Sequence, residues 1–233
     1  MNNMEENRTS LNNEELAARV DNPRRYLKFF VFIFIGQIIL IISTINNATT
    51  INGVPRFFRY FSTLAYVASI LFIITLSKLR SINRDFFRSF LTIDIYLATI
   101  LFIGILQDTK TPVYAAVGRG LKWTTDFLFV LFYFLYYKAT NEVFKRIGHE
   151  KGAKVTRFAM YGTLVIFGVD LLFALLSRTY LVMVNRFMNR FFLYGDWGLI
   201  ALSYIFHFVI TLLIYKQFNK ALPKKEEVQK DEK

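Results

Sequence analysis

The chain has no cysteine. Disulfide frameworks, thiolate nucleophiles and thiolate metal sites are therefore excluded. It has no HExxH metal helix and no phosphate-binding glycine loop, so no metal or cofactor is expected. Acidic residues are scarce, with 17 Asp and Glu against 29 Lys and Arg, a formal net charge of +12. Such an excess can mark a nucleic-acid binder, but these cations sit at the ends of apolar blocks rather than on one soluble face. No cleaved signal peptide is read at the start. The first apolar block begins near Tyr26, lies behind a charged tail and lacks a small-residue cleavage pattern.

What is abundant is apolar and aromatic. Hydrophobic residues make up 54% of the 233 positions and aromatic residues 18%. They come in blocks of nearly twenty, and a bilayer core of ~30 Å takes about 20 helical residues. Six blocks meet that length: Tyr26 to Ile45, Phe57 to Leu76, Ser89 to Leu106, Trp123 to Thr140, Phe158 to Leu176 and Trp197 to Tyr215. The expected fold is an all-α polytopic membrane bundle of six transmembrane helices. A polar tail over 1–25 precedes a membrane domain over 26–217, and a charged tail follows over 218–233. In the first tail, Asn12 and Glu15 fit a capping box for a short surface helix ended by Pro23.

Orientation follows from the cations. The two tails and the second and fourth loops, counted with the adjoining helix ends, hold 21 Lys and Arg, and the remaining loops hold 8. The positive-inside rule places the richer side, and with it both termini, in the cytoplasm, and a plasma membrane suits the basic face. Trp123 and Trp197 open helices from the outer side. Tyr136, Tyr137 and Lys138 are expected to close the fourth helix at the inner headgroup zone. From Ser177 to Asp196, polar and apolar residues separate at spacings of three and four. An interfacial amphipathic helix fits this pattern, with a loop covering the bundle as the alternative.

Ionisable and strongly polar residues inside spans are costly and mark candidate function. Gln37, Asp94, Asp126, Asp170 and His207 are the conspicuous ones. Asp94 lies near the inner start of its helix, within reach of Arg88. Asp126 lies one turn inside the outer rim, four residues after Lys122. Both read most simply as rim carboxylates. Asp170 and His207 are deeper, roughly 18 Å and roughly 15 Å from opposite ends of their spans. Ser203, His207 and Thr211 form an i, i+4, i+8 stripe, and Thr163, Asp170, Ala174 and Ser177 share a face.

These positions admit two readings. Asp170 and His207, with Ser203, Thr211 and Gln37, line an ion or substrate path. Alternatively, they form a hydrogen bond that locks two helices together. Enzyme chemistry is less well supported. Gly168-Val169-Asp170 lacks the second glycine of an intramembrane aspartyl protease, and no glycine-framed serine accompanies His207. His149, in Gly148-His149-Glu150, is read as a solvated loop residue. The leading functional expectation is a non-enzymatic subunit or regulator of another membrane protein. A small ion or solute transporter is the second, and a lipid-modifying enzyme the third. The expected partners are the bilayer and another membrane protein or a second copy, with no nucleic acid.

Overall fold

The structure is a computed structural model that describes residues 31–42, 64–80, 83–108, 112–176 and 186–221. Every regular element among the described residues is an α-helix: α1 (Val31–Ile42), α2 (Leu64–Leu79), α3 (Arg84–Asp108), α4 (Pro112–Arg146), α5 (Glu150–Leu176) and α6 (Arg186–Ala221). Among the described residues, three stretches are long and apolar enough to cross a membrane: Arg84–Ile103, Glu150–Leu176 and Gly198–Ala221. Apolar helices of that length point to a membrane-embedded protein.

The helices outrun the apolar blocks. α4 has 35 residues and α6 has 36, about 50 Å each at ~1.5 Å per residue, well beyond a bilayer core of ~30 Å. Hydropathy marks where the chain turns polar, not where the helix stops. α4 begins with Pro112 in its first turn, where a missing N–H costs nothing. It then runs past Thr140 to Arg146 without a breaker. The amphipathic stretch expected to lie apart on the membrane surface is, from Arg186 onward, the first part of α6 itself. Residues 177–185 lie outside the described residues, as do the expected tail helix, the tail over 1–25 and residues 222–233, whereas 218–221 of the expected charged tail close α6.

Local chemistry sets the helix ends. At α3, the Asn83 side-chain oxygen accepts the backbone N–H of Asp85 at 2.9 Å, and the Asn83 carbonyl accepts that of Phe87, an N-cap. Between α4 and α5 the chain turns through Gly148, whose φ of +69° lies in the left-handed region. Its N–H bonds the Lys145 carbonyl at 3.1 Å, and the His149 N–H bonds the Phe144 carbonyl at 2.9 Å. This is a Schellman closure. The His149 carbonyl then accepts the Ala153 N–H, which starts α5.

Consecutive helices pack as neighbours from α2 through α3 and α4 to α5, and α5 packs on α6. α5 presents small buried residues, Gly152, Ala153, Thr156, Ala159 and Thr163, which allow close approach without a water-driven hydrophobic force. Asn141 of α4 fastens this face. Its amide nitrogen donates to the Ala153 carbonyl at 2.6 Å and to Thr156 Oγ1 at 2.8 Å. α1 buries Ile33, Gln37 and Leu40, a stripe at helical spacing. Its Phe34 meets Phe208 and Tyr215 of α6 edge-on. The core is aromatic and centred on α4, where Phe132, Tyr133, Tyr136, Tyr137 and Phe144 are each essentially inaccessible.

Candidate functional site: a polar cavity between α4, α5 and α6

One cavity joins the three long helices around the polar residues singled out above. Asp126 reaches its wall from α4, Thr163 and Asp170 from α5, and Ser203, Tyr204 and His207 from α6. Phe129, Val130, Ile166, Phe167, Leu199 and Ile200 complete it. The volume is about 80 Å³, enough for several water molecules. Thr163 and Asp170 lie seven residues apart, and Ser203 and His207 four. Each pair therefore shares one helix face.

Both carboxylates line this cavity although their positions along the sequence suggested different depths. Asp126 was expected at the outer rim and Asp170 well inside, yet both form the wall of this cavity. The two are partly exposed, while His207 is only 2% exposed. Among the described residues no three His, Asp or Glu side chains converge as a metal site.

His207 is fixed from the side of α4. Its ring lies flat on Tyr133, with centroids 3.6 Å apart and planes 1° from parallel. Its Nδ1 is hydrogen-bonded to Tyr137 Oη at 2.9 Å, and the proton lies with either partner according to the imidazole tautomer. Phe129 and Phe206 close on it edge-on. The bond seen at Nδ1 is thus to a tyrosine. The histidine and Asp170 are related as two walls of the same cavity.

Gln37 and Thr211 belong to this network rather than to the cavity wall. The Gln37 amide nitrogen lies 3.0 Å from Thr211 Oγ1, and 3.3 Å from both the His207 carbonyl and Tyr133 Oη. Two N–H groups share three acceptors, and Thr211 has the shortest bond. Thr211 Oγ1 in turn donates to the His207 carbonyl at 2.7 Å. The Ser203–His207–Thr211 stripe therefore divides. Ser203 and His207 face the cavity, whereas Thr211 is wholly buried and tied to Gln37 of α1.

Three other expectations are revised. Asp94 is exposed on α3, and the Arg88 guanidinium bonds Asp85 at 2.9 Å, not Asp94. Asp85 is 4% exposed and also holds Lys138 at 2.8 Å. Lys138 therefore caps a buried carboxylate, and the same locus carries an Asn83–Glu142 hydrogen bond. His149 is not simply solvated, because its ring packs edge-on against Phe144 at 5.7 Å. The expected Lys122–Asp126 pair involves a lysine side chain outside the described residues.

Tyr136 and Tyr137, expected at the inner headgroup zone, are buried within the bundle at 1% and 0% exposure, and α4 continues two turns beyond them. Sequence reasoning missed them and Tyr133 as the setting of His207. A signal was present: Phe129, Phe132, Tyr133, Tyr136, Tyr137 and Thr140 recur at i, i+3, i+4, i+7, i+8 and i+11, one apolar-aromatic stripe of a helix. Compared with protein-family models, curated proteins and solved structures, the chain matches none.

Proposed function

We propose that this chain is a multi-pass membrane protein of six spans, with both termini cytoplasmic, that carries protons or a hydrated monovalent cation through the α4–α5–α6 cavity. One observation supports this reading above the others: Asp126 and Asp170, from different helices, share a small polar cavity with Ser203 and His207. Two ionised carboxylates in a water-poor interior are costly. A carboxylate in such surroundings gains from taking up a proton or a cation. At about 80 Å³ the cavity is too small for a large solute but has room for several water molecules. The residues do not converge as a metal-ligand set, which suits a cation that keeps its water. In this reading Asp126 and Asp170 carry the exchangeable charge, Ser203 and Thr163 supply hydroxyl contacts, and the tyrosine-bound His207 shapes the wall.

The test is flux in proteoliposomes loaded with a pH-sensitive dye, with and without sodium or potassium gradients. The intact protein should dissipate a proton or cation gradient, and Asp170→Asn should reduce that flux at least tenfold. Flux that is absent from the intact protein, or unchanged in both Asp170→Asn and Asp126→Asn, overturns the proposal.

A second reading is a non-enzymatic subunit or regulator. The rigid clamp of His207 by Tyr133, Tyr137 and Gln37 favours it, because such a lock serves helix packing without transport. A membrane partner that co-purifies in stoichiometric amount through gentle extraction would support it. Recovery of the chain alone would count against it.

A further inference from the structure

A second cavity lies at the opposite end of α5, at the Gly148 turn. It has a volume of about 430 Å³ and is walled by Lys145, Gly148, Glu150, Ala153, Lys154 and Arg157. Three cations and one carboxylate line it. Lys145, Lys154 and Arg157 are all exposed, and among the described residues the ion pairs at Asp85 do not involve them. The turn is built rather than loose. The Schellman bonds at Gly148 and its left-handed φ hold the ends of α4 and α5 together, and Phe144 packs on Phe218 of α6 with ring centroids 4.3 Å apart.

The same face of α5 continues as an apolar stripe. Lys154 and Arg157 are followed by Phe158, Tyr161, Val165 and Leu172, spaced by three, four or seven residues. All four are large and strongly exposed, at 63%, 64%, 64% and 57%. The opposite face carries the small residues packed against α4. α5 is itself long and apolar enough to cross a membrane. The stripe thus matches a phospholipid in outline, with charge at one end and hydrocarbon contact along the rest.

We infer that this groove binds the phosphate of an anionic phospholipid, between Lys145 on α4 and Lys154 and Arg157 on α5, with an acyl chain laid along Phe158, Tyr161, Val165 and Leu172. Arg157 supplies planar donors for phosphate oxygens, and the two lysines add point charge. The inference rests on the helices lying in a bilayer, but not on the α4–α5–α6 cavity carrying a cation. Absent flux, or flux unchanged in the aspartate variants, therefore leaves it untouched.

The experiment is native mass spectrometry of the full chain released from bilayers that mix phosphatidylcholine with a small fraction of phosphatidylglycerol. The intact protein should retain phosphatidylglycerol in preference to phosphatidylcholine. Lys154→Gln combined with Arg157→Gln should weaken that retention about 25-fold, at roughly fivefold per surface cation. Both side chains are exposed, so the unfolding temperature in detergent should not move. Should the double variant fail to fold, Lys145→Gln alone should still show about a fivefold loss. A Val165→Ser, Leu172→Ser variant keeps every cation and should lose lipid as well. Equal retention of the two lipids, or undiminished phosphatidylglycerol in the cation variants, overturns the inference. So does displacement of the lipid by inorganic phosphate or soluble glycerol phosphate at similar concentrations, which would make the groove a site for free phosphate.

Discussion

The imidazole of His207 and the phenol ring of Tyr133 are stacked in parallel, 3.6 Å between centroids and 1° apart in plane. Tyr137, one helical turn along α4, holds the same imidazole through Nδ1 at 2.9 Å. A histidine gripped on its face and at one nitrogen has one orientation. It therefore presents a fixed surface to the cavity it shares with Asp126 and Asp170. Ring stacking of this kind is worth about 1 kcal/mol beyond area burial, and the hydrogen bond is worth a similar ~1 kcal/mol.

Two neighbouring tyrosines should respond oppositely to loss of a hydroxyl. Tyr136 Oη is buried and has no hydrogen-bond partner among the described residues. Tyr136→Phe should leave stability unchanged or raise it by up to about 1 kcal/mol. Tyr137 Oη serves His207, so Tyr137→Phe strands a ring nitrogen and should cost about 1–2 kcal/mol. Thermal unfolding in detergent ranks the two, and a larger loss for Tyr136→Phe would refute the assignment of hydrogen bonds.

Much of this was legible in the residues. Each described helix overlaps one of the apolar blocks, and Asp170 and His207, expected at similar heights, both line one cavity. Two features were not legible. Hydropathy places the membrane rather than the helix, so it stopped α4 at Thr140 and put Tyr136 and Tyr137 at a boundary that the structure carries to Arg146. Depth along single helices also says nothing of which residues share a cavity, so the reading of Asp126 as a rim carboxylate did not show that it lines one cavity with Asp170. The partner of Lys138, the buried Asp85, lay in what was read as a loop. Its burial depends on α3 starting at Arg84, which the Asn83 cap decides.

The Asp85 cluster should show a marked asymmetry. The Asp85 side chain is 6% exposed, whereas those of its partners Lys138 and Arg88 are 40% and 47% exposed. Asp85→Ala leaves two cations that reach water, and should cost about 1 kcal/mol. The pair Lys138→Met with Arg88→Met leaves a buried carboxylate without its cations, and should cost about 3 kcal/mol. Unfolding midpoints compare the two, and the reverse order would show that the carboxylate is well hydrated.

The contact between α4 and α5 depends on the absence of a side chain. A Cβ at Gly152 would collide with the Phe144 ring, which is wholly buried and stacked on Phe218. Gly152→Ala should cost about 1–3 kcal/mol through overpacking. At Gly168, on the same helix, an added methyl would meet nothing within 4 Å. Gly168→Ala should be neutral or stabilise by up to about 1 kcal/mol through helix propensity. Equal effects would mean that α5 does not pack on Phe144 through Gly152.

The most direct test of the central claim, that Asp126 and Asp170 form a protonatable intramembrane site, is carbodiimide labelling in the bilayer. A hydrophobic carbodiimide adds to a protonated carboxyl in apolar surroundings, and peptide mapping locates the adduct. Labelling is expected at Asp170 or Asp126, falling as pH rises, shifting to the remaining aspartate when either is changed to asparagine, and halting flux in step with adduct formation. If the folded protein in lipid gains no adduct at either aspartate from acidic to neutral pH, the cavity does not exchange protons and the account is contradicted.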